Sequence, residues 1–219
     1  MSILSRFYEN FRRFGIKRLL YDLTYKFLAR TFSYLKIQGM TLTLSRIDPT
    51  YLKPINGYEY RFLTEMELRE YAKDLSNHLD IKFIEDALAK EDKCYGIIDQ
   101  ETLAAYSWYS NNNTNFNDDL VLYFNKQWVY MYKAYTKPSY RGQRLHAIGM
   151  GKALEEFSMK GAIGLISCIE TNNFRALRSV HRLGCCNFGK ITAIKVFGKF
   201  RIKAEKACHQ YGFTLKSTR

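Results

Sequence analysis

From Thr136 to Ala147 the chain reads Thr-Lys-Pro-Ser-Tyr-Arg-Gly-Gln-Arg-Leu-His-Ala. Pro138 stops the extended run before it, and Met150, Leu154 and Phe157, at i, i+4 and i+7, mark a helix after it. The first turn of a helix has backbone N–H groups without partners and carries the positive end of the dipole. Such a terminus suits a phosphate. Arg141 and Arg144 add charge, and Gly142 lets the backbone come close to a ligand. Many helix starts are merely capped, so these residues alone leave both readings open.

Glu170 follows a short apolar run, Gly164–Ile169. It can act as a general base directly or through a water; it can equally cap the next helix or pair with a surface arginine. Tyr132 stands on a long strand whose alternate residues share a face, so it either looks into a cleft or packs in the core. Trp108, Tyr109 and Trp128 carry the same two readings. His146 is singled out by its place in the basic turn, where it meets a phosphate or solvent. His181 with Cys185 and Cys186, or Cys208 with His209, fits no standard zinc spacing, and no metal is expected. No hydrolytic triad can be recognised in the sequence.

The elements that must position these residues are most regular in the second half. Gln127–Thr136 reads as a strand, a helix follows the basic turn, Gly164–Ile169 is a buried strand, and Asn173–Leu183 is a helix closed by Gly184. Phe188–Phe197 reads as a final strand. Strand–helix–strand–helix–strand predicts an α/β unit with a parallel central pair. Earlier, Thr41–Ser45 reads as a strand, Thr64–Leu75 as a helix with a Thr64/Glu67 capping box, and Asp80–Ala89 as a second helix. Cys94–Ile98 and Thr102–Tyr109 read as two strands joined at Asp99–Glu101, and the Asn-rich stretch Asn111–Asp119 as a loop.

Residues 1–36 differ from the rest. Arg6, Arg12, Arg13, Lys17, Arg18, Lys26, Arg30 and Lys36 face only Glu9 and Asp22. Ile16, Leu20, Leu23, Phe27 and Tyr34 form one helical stripe, and Phe7, Phe11 and Phe14 a second one out of phase. Gly15 sits at the phase break, so two short helices are expected rather than one. The stripe either docks on the rest of the chain or on a second subunit, giving a homodimer, or lies on an anionic membrane. The chain divides accordingly into a helical extension, 1–36, and a domain, 37–219.

Composition sets the outer bounds. The 219 residues, 47% hydrophobic with three prolines and 13 glycines, support a packed core and exclude a low-complexity chain. Five cysteines, with no C-x-x-C pair, point to a reducing compartment. No leader-like or membrane-spanning run is evident, so a cytoplasmic protein is expected, with the inner face of a membrane as its peripheral site. The net charge of +13 favours anionic partners. Nucleic acid is the weakest of these, since only charge supports it.

The segment Thr136–His146 resembles the V-x-P-x-Y-R-G-x-G-x-G stretch of the GCN5-related N-acetyltransferases (GNAT), with their Arg/Gln-x-x-Gly-x-Gly/Ala pyrophosphate motif. Asn173-Phe174-Arg175-Ala176-Leu177 with Arg182-Leu183-Gly184 resembles their N-x-x-A-hydrophobic … K-L-G segment. Order and separation both fit. The resemblance implies a mixed, V-split central sheet with flanking helices, and transfer of an acetyl or other acyl group from acyl-CoA to an amine-bearing acceptor by direct attack. It implies pantetheine pairing along Ala134, Tyr135 and Thr136, and a pyrophosphate held by Arg141, Gly142, Gln143, Arg144, Leu145, His146 and Ala147. Asn173 would lie beside the pantetheine arm, and a backbone N–H near Tyr135 would serve the oxyanion, with Tyr132 and Glu170 as the other catalytic candidates. Acetyl-CoA is the implied cosubstrate. Arg144 and His146 stand where the motif has small residues, and Val180 stands where many relatives have a tyrosine acid. Those departures motivate the alternative of a non-catalytic acyl-CoA-binding or interaction module.

Overall fold

The computed structural model describes residues 3–218, with side-chain environments from Gly15 onward. Helix α1 (Ile3–Phe32) is broken at Gly15, whose φ of 76° and ψ of 169° are non-helical, so the phase break in the sequence is a backbone break. The expected stripe Phe7, Phe11 and Phe14 lies outside the described side chains. Then come β1 (Leu35–Leu42), β2 (Tyr58–Phe62), α2 (Glu65–Ala72), α3 (Ile81–Leu88), β3 (Lys93–Asp99) and β4 (Thr102–Ser110). The second half runs β5 (Thr114–Asn117), β6 (Leu120–Tyr123), β7 (Trp128–Thr136), α4 (Leu145–Met159), β8 (Gly164–Glu170), α5 (Phe174–Leu183), β9 (Cys186–Val196), β10 (Lys199–Ala204) and β11 (Thr214–Ser217).

Eight strands form one mixed sheet in the order β10-β9-β1-β8-β7-β4-β3-β2, and β11-β6-β5 form a small second sheet. Within the large sheet only β7 and β8 run parallel, as the strand–helix–strand rhythm around α4 requires. Alternation sorts the side chains. Val129 and Met131 of β7 and Leu165 of β8 pack with Met150, Leu154 and Phe157 of α4 and with Val180 and Leu183 of α5. Trp128 and Tyr130 of β7 and Ile166 of β8 point the other way and pack with Leu120, Leu122 and Leu215 of the small sheet and with Phe213 just before β11. Helices α2 and α3 cover Cys94, Tyr106 and Trp108 farther along the sheet. The capping box read from sequence is present, Thr64 and Glu67 bonding reciprocally, and the structure adds an Asp80 cap whose side chain accepts from Phe83 N.

Four expectations change. The first strand is Leu35–Leu42, not Thr41–Ser45. It lies between β8 and β9, and its buried Gln38 donates to Gly39 O at 3.0 Å and Gly189 O at 2.8 Å, so a satisfied polar residue hides the apolar pattern. Gly39 is needed in that strand because a Cβ there would collide with the Phe188 ring. The Asn-rich stretch is not all loop: Thr114–Asn117 pairs with β6, Thr114 is buried, and Asn115 and Asn117 face outward. Nor is β9 the final strand, since β10 continues the large sheet and β11 closes the small one.

The fourth change concerns α1. Its buried positions are Leu19, Asp22 and Tyr25, while Ile16, Leu20, Leu23 and Phe27 of the expected docking stripe face outward. Polar anchors decide the docked face. Tyr21 Oη lies 2.6 Å from Thr171 Oγ1, Asn172 Nδ2 donates to Asp22 Oδ1 at 3.0 Å, and Lys36 N donates to Tyr25 Oη at 3.1 Å. Tyr34 lies beyond the helix and packs edge-on against Tyr25, with ring centroids 5.4 Å apart.

Candidate functional site

The site grows from the one parallel pair. β7 and β8 share a ladder over Trp128–Gly164, Val129–Leu165 and Tyr130–Ile166 only. β7 then stays with β4 as far as Thr136, and β8 stays with β1 as far as Glu170. The two strands therefore part after three pairs. The edge of β7 from Met131 to Thr136, which includes Ala134 and Tyr135, gains no ladder partner from β8.

Beyond Thr136 the chain makes a turn of 3-10 helix at Pro138–Tyr140 and enters α4 with no side-chain cap. Gly142 has φ +89°, the left-handed region that favours glycine, and open space around its missing Cβ. Arg144 also takes a left-handed conformation, φ 63° and ψ 11°, at the place where the resembling motif has glycine. The amides of Gly142, Gln143, Arg144, Leu145, His146 and Ala147 find no acceptor among the described residues; the first bond of the turn is Ile148 N to Arg144 O at 3.1 Å. Six donors in succession at the positive end of a helix are an arrangement whose chemistry suits an anion.

The side chains of this loop have several destinations. Arg141 Nε donates to Thr136 O at 3.1 Å, bracing the turn against the end of β7. Tyr58 of β2 donates to Gln143 Oε1 at 2.7 Å. Leu145 is buried with Ile97, Ala104 and Ala105, while Arg144 remains exposed. The His146 side chain does not stand in open solvent beside the loop, one of the two places expected for it. It is half-buried and turned toward β4, with Nδ1 3.2 Å from Ser107 Oγ, and burial pushes its pKa down to about 4.

Where the strands part, a cavity of about 820 Å³ opens on the face away from α4. Tyr130 and Tyr132 of β7, Cys168 and Glu170 of β8 and Phe116 of β5 line it, and Arg18, Leu19, Asp22 and Lys26 of α1 close one side. Glu170 is exposed at the rim, near Tyr25, and Asn173 stands beside it as the N-cap of α5, accepting from Ala176 N at 3.2 Å. Tyr130 and Tyr132 stack with centroids 6.1 Å apart and planes 13° apart. The Tyr132 hydroxyl donates to Asp92 Oδ2 at 2.9 Å; burial, then the neighbouring carboxylate, push its pKa far up. Cys168 lies 3.4 Å from Tyr130 Oη, and burial pushes its thiol up to about 12, so it stays protonated.

The expected residues thus fall into groups. Tyr132, Glu170 and Asn173 share the cavity, while Ala134–Thr136 and Gly142–Ala147 form the open edge and the turn at its end. The Tyr135 side chain leaves the cleft: its hydroxyl donates to Ser76 O at 2.9 Å and its ring packs on His78. Trp108, Tyr109 and Trp128 are buried and do not line the cavity. Val180 is buried between Met131 and Cys185, an apolar setting with no proton to give. No cluster of metal-binding side chains occurs among the described residues.

Sequence reasoning missed Asp92 and the α1 wall. The Asp92 side chain is fully buried, 3.5 Å from Lys90 Nζ, and its Oδ1 has no hydrogen-bond partner among the described residues. In sequence it belongs to the charged run Lys90-Glu91-Asp92, which reads as a solvated turn; only its contact with Tyr132 marks it. Asp22 is hidden in the same way by a helix that looks basic throughout.

No protein-family model matches the chain, and no curated protein matches it. Solved structures do match in fold. An acetyltransferase of the GNAT family from Colwellia psychrerythraea superposes with a TM-score of 0.50 at 12% identity, over 74% of this chain and 56% of that one. A GCN5-related N-acetyltransferase from Sphaerobacter thermophilus does so with a TM-score of 0.53 at 11% identity, over 88% of this chain and 57% of that one. The match therefore spans less than two thirds of either neighbour. An aminoglycoside N-acetyltransferase in complex with CoA matches at 15% identity over 61% of this chain and 91% of that one; its TM-score of 0.46 adds nothing to the assignment. With its mixed sheet, the single parallel pair that parts into a V, and these neighbours, the chain has the fold of the GNAT superfamily.

Proposed function

We propose that the chain transfers an acetyl or other acyl group from acyl-CoA to an amine acceptor within a ternary complex. One observation carries the reading: six acceptor-free amides, Gly142–Ala147, lie at the end of a strand whose edge the V leaves open. The pyrophosphate takes those amides, with the exposed cations Arg141 and Arg144 beside it. Ala134, Tyr135 and Thr136 offer backbone groups to the pantetheine, across the V from Asn173. The acyl end then reaches the cavity at Tyr132 and Glu170.

There the acceptor nitrogen attacks the thioester carbonyl carbon, the C–S bond breaks, and CoA departs as its thiolate. Glu170, exposed at the rim, first takes one proton from the ammonium form directly or through a water. The departing thiolate takes the second proton from the nitrogen of the tetrahedral adduct, giving a neutral amide and CoA thiol. A thiol of pKa about 8.5 needs little help in leaving, which suits a site with Val180 in an apolar pocket. Tyr132 shapes the cavity; its proton is committed to Asp92. A backbone N–H near Tyr135 meets the oxyanion.

Release of CoA thiol from acetyl-CoA, measured across a panel of primary amines, tests the reaction. Amine-dependent release that falls in Glu170→Gln supports it. The buried Val180 and the engaged Tyr132 favour one second reading, a non-catalytic acyl-CoA-binding module. Saturable binding of acetyl-CoA without thiol release to any amine or to water would support that reading instead.

A further inference from the structure

The outward face of α1 is the largest feature that acyl transfer leaves unexplained. Ile16, Leu20, Leu23 and Phe27 are 53%, 56%, 39% and 65% exposed. They stand at i, i+4, i+7 and i+11, a single apolar line about 17 Å long at 1.5 Å per residue. At 100° per residue, Lys17 falls on one flank of that line and Lys26 and Arg30 on the other, and all three are exposed. The opposite face is pinned to the fold by Tyr21, Asp22 and Tyr25. The apolar line is therefore held facing outward.

We propose that this face docks on an anionic membrane surface, with the four apolar side chains in the headgroup–acyl boundary and the cations on lipid phosphates. Charge selects this occupant over a second copy of the chain. From Gly15 to Phe32 the helix has four cations and one acid, Asp22. That acid is buried, 2.6 Å from Lys26 Nζ and bonded to Asn172. Two copies face to face would oppose their lysines and arginines with no exposed carboxylate between Gly15 and Phe32 to answer them. A sheet of lipid phosphates answers Lys17 and Arg30 beside the apolar line, while Lys26 is shared with Asp22 and Arg18 lies over the Phe174 ring at the cavity. The segment before Gly15 continues the bias in sequence, with Arg6, Arg12 and Arg13 against Glu9. The inference stands apart from acyl transfer, since it uses none of the residues assigned to that reaction.

Flotation of the full chain with vesicles tests it, comparing pure phosphatidylcholine with a mixture containing phosphatidylglycerol. The expected result is partition onto the anionic vesicles at low salt and release at high salt. Leu20→Glu with Phe27→Glu should abolish it, and Lys17→Gln or Arg30→Gln should weaken it by about fivefold each. Both apolar positions are exposed, so these variants fold, and circular dichroism checks that they do. Failure of the folded chain to float overturns the proposal, and so does equal binding to neutral vesicles. Binding unchanged by the stripe substitutions overturns it as well, as does a concentration-dependent dimer that Leu20→Glu dissolves.

Discussion

Replacing Arg144 by glycine should stabilise the protein, although it removes a side chain. Arg144 is the residue just before α4 and holds φ 63°, ψ 11°. An L-residue in that region costs about 1–2 kcal/mol through contact of its Cβ with the backbone. Glycine escapes the cost but has more freedom to lose on folding, about 0.5–1 kcal/mol. The difference leaves a net gain of about 0.5–1 kcal/mol. Little opposes it, because the exposed Arg144 side chain has only a minor charge interaction with Asp48. For a chain of this size the gain raises Tm by about 1–4 °C. Urea unfolding of the wild type, Arg144→Gly and Arg144→Ala isolates the cause. Alanine keeps the Cβ and should match arginine; glycine alone should shift the midpoint upward, with an unchanged slope. Equal midpoints for glycine and alanine would refute the claim that the backbone is strained here.

Three further outcomes follow from the site. His146 is held neutral, with its pKa lowered from 6.5 to about 4, so between those values the unfolded chain binds the extra proton. Its contribution is fully present above pH 6.5 and is lost as pH falls toward 4, by up to roughly 3 kcal/mol; urea unfolding at pH 5 and pH 7 should show a smaller difference in His146→Gln than in the wild type. Tyr132→Phe removes the donor to a buried carboxylate and should cost about 1–3 kcal/mol of stability while leaving acetyl-CoA affinity near the wild-type value, read by denaturation and calorimetry. Glu170→Gln should lower amine-dependent thiol release by about 10²–10⁴ without weakening acetyl-CoA binding, and a higher pH that deprotonates the acceptor should recover part of the loss.

The second half of the fold was legible because its elements are regular and each has a local signal. Pro138 ends β7, Gly184 closes α5 at φ 102°, and the spacing of Met150, Leu154 and Phe157 faces a single core. What stayed hidden was set by partners distant in sequence. β1 lies between two strands more than a hundred residues away, so its Gln38 and Gly39 are explained by Gly189 and Phe188 rather than by their neighbours. β5 carries Asn on its exposed face and so has the composition of a loop. The docked face of α1 was misread because two tyrosine hydroxyls and one aspartate outweigh four exposed apolar side chains, a balance that periodicity does not measure. At the site, the turn between β7 and α4 could be read from Pro138 and its glycine. Asp92 could not, since its meaning comes only from Tyr132 forty residues on.

The central claim is that the amides of Gly142–Ala147 hold the pyrophosphate of an acyl-CoA. Calorimetric titration with acetyl-CoA tests it most directly, on the wild type and on Gly142→Asn and Gly142→Asp. The two variants share a backbone position with φ +89° and open space for a side chain, and they differ essentially in charge. The account predicts a one-to-one isotherm for the wild type, a modest loss for asparagine and a loss at least tenfold larger for aspartate. No binding by the folded wild type, or equal binding by the two variants, would contradict it.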